Sequence, residues 1–220
     1  MLLKKQMPGW QHTHHKMSWI YFVSLLILAT GIQSCKQENA LPYLGRHEVQ
    51  NGDTVYHTVD DIVLTDQDSQ MFRISETGKR VIIGDFFFTS CPSICPKVTK
   101  QMMRIYEKYK DNDQVLLISH TIDQRHDSVQ VLNRYAKNLG VDTGRWKFVT
   151  AEKDSIYHIA EQYFVSVVED PSAVGGFDHS GRIILLDQDR RVRGFCEGTD
   201  PESVTAFFDT IEALLHEGMQ

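Results

Sequence analysis

No aspartate or glutamate occurs before Glu38 in this chain of 220 residues, and Lys4, Lys5 and Lys16 are the only charges of the first 34 apart from histidines. A basic, acid-free start marks a targeting segment rather than part of a folded body. Taking its three positive charges from the formal net charge of −6 leaves a body of about −9. That body lacks clustered Lys and Arg, which excludes nucleic acid as a partner, because neutralising phosphates requires such clusters. Charge-driven adhesion to anionic lipid is excluded on the same ground. The apolar run at residues 19–32 (Trp-Ile-Tyr-Phe-Val-Ser-Leu-Leu-Ile-Leu-Ala-Thr-Gly-Ile) is shorter than the roughly 20 residues that span a bilayer comfortably. Internal repeats and low-complexity tracts are missing too. With 41% apolar and 24% charged residues, one globular domain with an appendage is expected.

The short apolar run follows basic residues and reads as the h-region of a signal peptide over residues 1–34. Ile32-Gln33-Ser34-Cys35 has the pattern of a bacterial lipobox: an aliphatic residue, a spacer, a small residue, then the cysteine that takes lipid and becomes the mature N-terminus. The other reading is an uncleaved anchor helix in which Cys35 is incidental. Both place the body outside the cytoplasm, tethered to a membrane of the bacterial cell envelope. Residues 35–55, polar and carrying Pro42, Gly45 and Gly52, read as the lipidated N-terminus and a tether. Residues 56–220 form the globular domain.

Cysteine is scarce: Cys35, the close pair Cys91 and Cys95, and a lone Cys196. Export puts thiols where disulfides persist. With Cys35 lipidated, the pair is the redox or metal element, while Cys196, behind Val-Arg-Gly-Phe, is expected to be a buried strand-end thiol. His12, His14 and His15 fall in the signal segment and are lost on cleavage.

Within the body, stretches 61–65 and 70–74 flank Asp-Gln-Asp-Ser as a short hairpin. Residues 80–88, Arg-Val-Ile-Ile-Gly-Asp-Phe-Phe-Phe, are too continuously apolar for an edge and predict a buried central strand. After Pro96, residues Val98, Met102, Ile105 and Tyr109 recur on one helical face, where Met102 and Met103 serve packing. A second strand at 115–119, a helix from about Asp127 to Gly140, a strand at 146–150 and a helix at 152–163 follow. A closing hairpin at 182–187 and 191–195 precedes a helix that starts at Asp200-Pro201 and ends near Glu217. This order predicts an α/β, thioredoxin-like sandwich: a central mixed sheet, helices on both faces and an added N-terminal β-hairpin.

Ser90-Cys91-Pro92-Ser93-Ile94-Cys95-Pro96 lies between the C-terminal end of the buried strand and a helix start, where an α/β sheet opens its crevice. Unpaired N–H groups and the helix dipole there favour thiolate, the nucleophilic and metal-binding form. A purely structural disulfide closing so small a loop removes little chain entropy. Far along the chain, Gly175-Gly176-Phe177-Asp178-His179-Ser180 runs into the strand at 182. In a thioredoxin-like domain that loop faces the cysteines, and a disulfide-exchange enzyme places a cis-proline there. No proline occurs between Pro171 and Pro201. His179 therefore offers a third soft-to-borderline ligand.

Residues 87–96, Phe-Phe-Thr-Ser-Cys-Pro-Ser-Ile-Cys-Pro, residues 118–127, Ile-Ser-His-Thr-Ile-Asp-Gln-Arg-His-Asp, together with Asp178-His179-Ser180 and residues 64–68, Leu-Thr-Asp-Gln-Asp, resemble the Sco/SenC family. The similarity runs from about Pro42 to Leu215. It implies that Cys91, Cys95 and His179 bind copper, and that the protein helps assemble the dinuclear copper centre of cytochrome c oxidase. The implied partner is the copper-receiving subunit of a terminal oxidase. Thiolates suit Cu(I), and the nitrogen helps retain Cu(II). In the loop after the second strand the family commonly has Asp-Pro, an acidic residue and Arg-Asp, where this chain has Asp123-Gln124-Arg125-His126-Asp127. Asp123 and Asp178 are candidates for carboxylates that support the ligands or contact a partner. His120 is a weaker candidate, and His126 is expected to be exposed. The alternative function is an exported thiol-disulfide oxidoreductase using Cys91 and Cys95. A peroxide-reducing enzyme fits less well, since residues 85–91 lack the proline and correctly spaced threonine of peroxide activation.

Overall fold

The computed structural model describes residues 40–218. The signal segment, the lipobox and Cys35 lie outside the described residues. Among those described, no helix is long and apolar enough to cross a membrane.

The centre is laid down by two strands with every residue buried, β5 (Val81–Phe87) and β6 (Val115–Thr121). They pair in parallel from Val81↔Val115 to Phe87↔Thr121. Strands with no solvent face can only be interior, which is why their sequences run apolar without alternation. β7 (Trp146–Thr150) continues the parallel set beside β6. On one flank β10 (Arg182–Leu186) and β11 (Val192–Glu197) add antiparallel, and on the other β3 (Leu64–Asp66) and β4 (Met71–Phe72) do the same. The seven-stranded order is β11-β10-β5-β6-β7-β3-β4, the mixed sheet expected.

Helix α1 (Cys95–Tyr109) starts with proline in its first turn, where the missing N–H costs nothing. Helix α2 (Val129–Leu139) is capped by Ser128, whose hydroxyl accepts from Val131 N–H, and stops at Gly140 in the left-handed conformation. A hydrogen bond between Thr99 and Tyr135 (3.0 Å) joins α1 to α2. Tyr109 donates to Glu212 (2.9 Å) of α4 (Pro201–Glu217), so these three helices share a face. Helix α3 (Lys153–Gln162) takes the other, ending at Tyr163, whose ring packs edge-on against Phe86 and His120.

The structure departs from expectation in the short strands. The segment read as a tether carries an antiparallel hairpin, β1 (His47–Gln50) and β2 (Asp53–Tyr56), turned by Asn51 and Gly52, both at positive φ. Asn-Gly between strands is the standard signal for such a turn, but the hairpin is almost wholly exposed and shows no apolar alternation. Upstream, Leu44 N–H donates to Val192 and Arg193 grips the Leu41 carbonyl, so residues 41–44 are docked on β11. The hairpin expected at 61–74 is shorter than its apolar pattern, because Ile74 enters a 3-10 turn (Ile74–Thr77). The glycine-bearing stretch before His179 also becomes a strand. There β9 (Phe177–His179) pairs with β8 (Val167–Glu169), His179 opposite Val167.

Candidate metal centre

β5 ends at Phe87, and Phe88 turns the chain by accepting the Cys91 N–H (3.2 Å). Four residues on, Cys95 opens α1 and its backbone N–H points at Cys91 Sγ (3.4 Å). β9 brings His179 in from the far side, with Nε2 3.6 Å from Cys95 Sγ. The two sulfurs and one imidazole nitrogen all lie within 4.8 Å of one another. All three residues are buried, which removes competing water, and the ring of Phe88 packs edge-on against His179.

Their electrostatics are unequal. Burial alone would raise the Cys91 thiol, but hydrogen bonds from Cys95 and Ser93 outweigh it and bring it below its ordinary value. Burial, then the hydrogen bond shared with Cys91, pushes the Cys95 thiol well up. Burial lowers His179, against the opposing pull of the Ser180 carbonyl. That carbonyl faces Nδ1 at 3.3 Å. Nδ1–H therefore donates to it, and the lone pair is left on Nε2, the atom turned to the sulfurs. Two thiols and a neutral imidazole nitrogen converging in a dry site form a soft-to-borderline donor set of the kind copper and zinc accept.

Residues 50–215 match the SCO1/SenC family. The chain belongs to that family. Among its SCO1/SenC relatives, the SCO1 protein homolog of Bacillus subtilis is 28% identical over 142 residues, covering 64% of this chain and 74% of the relative. A SCO2-like protein of Rickettsia typhi is 36% identical over 132 residues, 57% of this chain and 63% of that one. Solved structures share the fold. A SCO1/SenC family lipoprotein of Bacillus anthracis superposes with a TM-score of 0.65 at 21% identity, over 72% of this chain and 95% of that one. ScoI of Arabidopsis thaliana, solved with copper bound, gives 0.61 at 20% identity, over 73% and 99%.

The other residues singled out in this SCO1/SenC chain stand elsewhere. Asp123 is buried, but its carboxylate is taken by His126 Nδ1 (2.7 Å), and it lines a groove of about 770 Å³ with Arg125, Lys153, Glu169 and Phe177. Asp178 alternates with His179 along β9, so its side chain leaves by the opposite face and is exposed. His126 is exposed, as expected. Cys196 is a buried thiol opposite Ile183 on β11, outside the cluster. His120 is fully buried against Phe86 rather than near the sulfurs. A residue that motif reading missed is Asp127. It stands at the end of the 118–127 motif and at a helix start with no role attached to it in the sequence, yet it bonds to the strand end leading to Cys91.

Proposed function

We propose that this chain carries copper, held by Cys91, Cys95 and His179, and delivers it to the copper-receiving subunit of a terminal oxidase during assembly of the dinuclear copper centre. The observation that carries the reading is the convergence of two thiols and an Nε2 lone pair within 4.8 Å, the imidazole being fixed by the Ser180 carbonyl. Bound copper would supply an exchangeable ion that ligands of a receiving protein take over. Cys91 is the more readily ionised of the two thiols. Cys95 must give up its proton on binding, so loading releases protons and weakens as pH falls. Two thiolates satisfy Cu(I), whereas Cu(II) requires the imidazole as well. The proposal places the domain outside the cytoplasm, tethered through a lipidated Cys35 or an N-terminal anchor helix.

The test is His179→Ala in the full chain. Cu(II) binding should weaken at least tenfold and the thiolate-to-Cu(II) charge-transfer band should vanish or shift, while Cu(I) binding changes little. Cells carrying His179→Ala should lose oxidase assembly as severely as cells carrying Cys91→Ala. Normal assembly with an unchanged spectrum would overturn the role of His179.

A second reading is favoured by the Cys95 N–H aimed at Cys91 Sγ from the start of α1. In it, Cys91 thiolate attacks a partner disulfide, forms a mixed disulfide and releases one partner thiol. Cys95 then attacks Cys91 Sγ and releases the second, leaving the partner reduced and the pair oxidised until a dithiol reductant restores it. His179→Ala should leave much of that activity intact, which separates the two readings.

A further inference from the structure

The parallel ladder between β5 and β6 ends at Phe87↔Thr121, with one further bond from Ile122 N–H to the Phe87 carbonyl. Beyond it the two chains part: β6 runs into the loop at 122–128, and β5 runs through Phe88, Thr89 and Ser90 to Cys91. No strand pairing directs those three residues. A carboxylate holds the middle one, Thr89. Asp127, 1% exposed, accepts the Thr89 backbone N–H (3.0 Å) and the Thr89 hydroxyl (2.5 Å), and with the first of these oxygens the Thr121 hydroxyl (2.6 Å). Its own position is fixed by the turn it closes, in which its N–H donates to the Asp123 carbonyl (2.9 Å) and the Thr121 hydroxyl accepts from Asp123 N–H (3.1 Å). The carboxylate therefore clamps the two strand ends together where the sheet no longer does, two residues before the first thiol.

We propose that Asp127 is a positioning residue for the Cys91–Cys95–His179 site: by fixing Thr89 to the end of β6 it sets where the cysteine loop starts, and so the distance between the sulfurs. This rests on the copper-carrying reading for its metal consequence, though the sulfur geometry is also legible in thiol chemistry without copper. Asparagine distinguishes position from charge. Placed with its carbonyl oxygen toward Thr89 N–H and Thr121, it keeps both bonds and turns its amide on the Thr89 hydroxyl, which is able to accept. Alanine leaves the half-buried Thr89 N–H without its carboxylate partner and frees the strand end.

The full chain is compared as wild type, Asp127→Asn, Asp127→Ala and Thr89→Val. The readouts are Cu(II) affinity and charge-transfer spectrum, the Cys91–Cys95 dithiol-disulfide equilibrium with reduced and oxidised glutathione in the absence of copper, and the melting midpoint. Asp127→Ala should weaken Cu(II) binding at least tenfold, shift the band and change the disulfide equilibrium at least tenfold. Asp127→Asn should restore both to within about threefold of wild type, with Thr89→Val in between. A folded Asp127→Ala protein whose spectrum and disulfide equilibrium match wild type, differing only in melting midpoint, overturns the proposal and leaves a purely structural role. An Asp127→Asn protein as impaired as Asp127→Ala also overturns it, assigning the effect to charge. If Asp127→Ala fails to fold, Thr89→Val decides, and wild-type behaviour there overturns the proposal. A wild-type chain without thiolate-bound copper would defeat the copper reading, while the glutathione equilibrium would still judge Asp127.

Discussion

Gly175 and Gly52 have nearly the same backbone, φ +93° and +92°, in different surroundings. A Cβ on Gly52 meets nothing within 4 Å, whereas on Gly175 it would stand 2.9 Å from the Phe88 ring and 3.3 Å from Pro92. Phe88 packs on His179 and Pro92 follows Cys91, so the loop holding Gly175 rests on the metal site. Both alanine substitutions carry the left-handed strain of about 1 kcal/mol. Gly52→Ala should cost that much in urea denaturation and leave copper binding unchanged. Gly175→Ala should cost more, about 2–3 kcal/mol because of overpacking, and should weaken Cu(II) binding severalfold. Equal effects of the two on copper would break the link between the loop and the site. The thiols are testable in the same way. The metal-free protein in air should form a Cys91–Cys95 disulfide, with Cys196 left free on its own strand, and peptide mapping of the oxidised protein checks the pairing. That oxidised form should not take up copper until reduced, since thiolate is the ligand.

At the level of elements, the helix ends carry much of the local information. Removing the Ser128 hydroxyl that caps α2 should cost about 1 kcal/mol in Ser128→Ala, read as a shift in urea midpoint at unchanged slope, without effect on Cu(II) spectra. The Asp200-Pro201 start of α4, the Gly140 stop of α2 and long buried strands such as β5 and β6 are legible in sequence because one stretch of chain contains the whole signal. The cysteine motif was legible for the same reason, being contiguous and set between a strand and a helix. His179 requires more: its reading as a candidate ligand comes from the missing proline and from family resemblance, and nothing in the sequence marks its mount on β9. β9 and β8 are three residues each, partly exposed, and hold no alternation long enough to read. The β1–β2 hairpin hid in the same way, its exposed polar residues resembling a tether. Asp127 was illegible as a clamp because its partner Thr89 lies 38 positions away, and only the folded sheet brings the strand ends together.

For the molecule as a whole, two buried titratable groups on opposite faces of the sheet set opposing pH dependences. Asp85 is enclosed beneath α1 and α2, where burial, only partly offset by a hydrogen bond from Ser119, pushes its carboxyl up to about 7. His120 lies on the other face between Phe86 and Tyr163, neither ring nitrogen paired among the described residues, and burial pushes it down to about 3. From the unfolded value near 3.8 up to about 7, folded Asp85 keeps a proton that the unfolded chain releases, so stability falls as pH rises by about 1.4 kcal/mol per unit. From about 6.5 down to about 3, unfolded His120 gains a proton that the folded chain refuses, so stability falls as pH drops, by the same amount per unit. Over pH 4 to 6.5 the two slopes cancel, and single substitutions should unmask them. Relative to wild type, Asp85→Asn should gain about 3–4 kcal/mol on going from pH 4 to pH 7.5, and His120→Phe should lose about 3 kcal/mol over the same interval. Urea denaturation of the reduced, metal-free chain at half-unit steps reads both. Differences from wild type that stay constant with pH would mean that Asp85 and His120 titrate alike in the folded and unfolded chain, and that their burial costs are borne without any change in proton affinity.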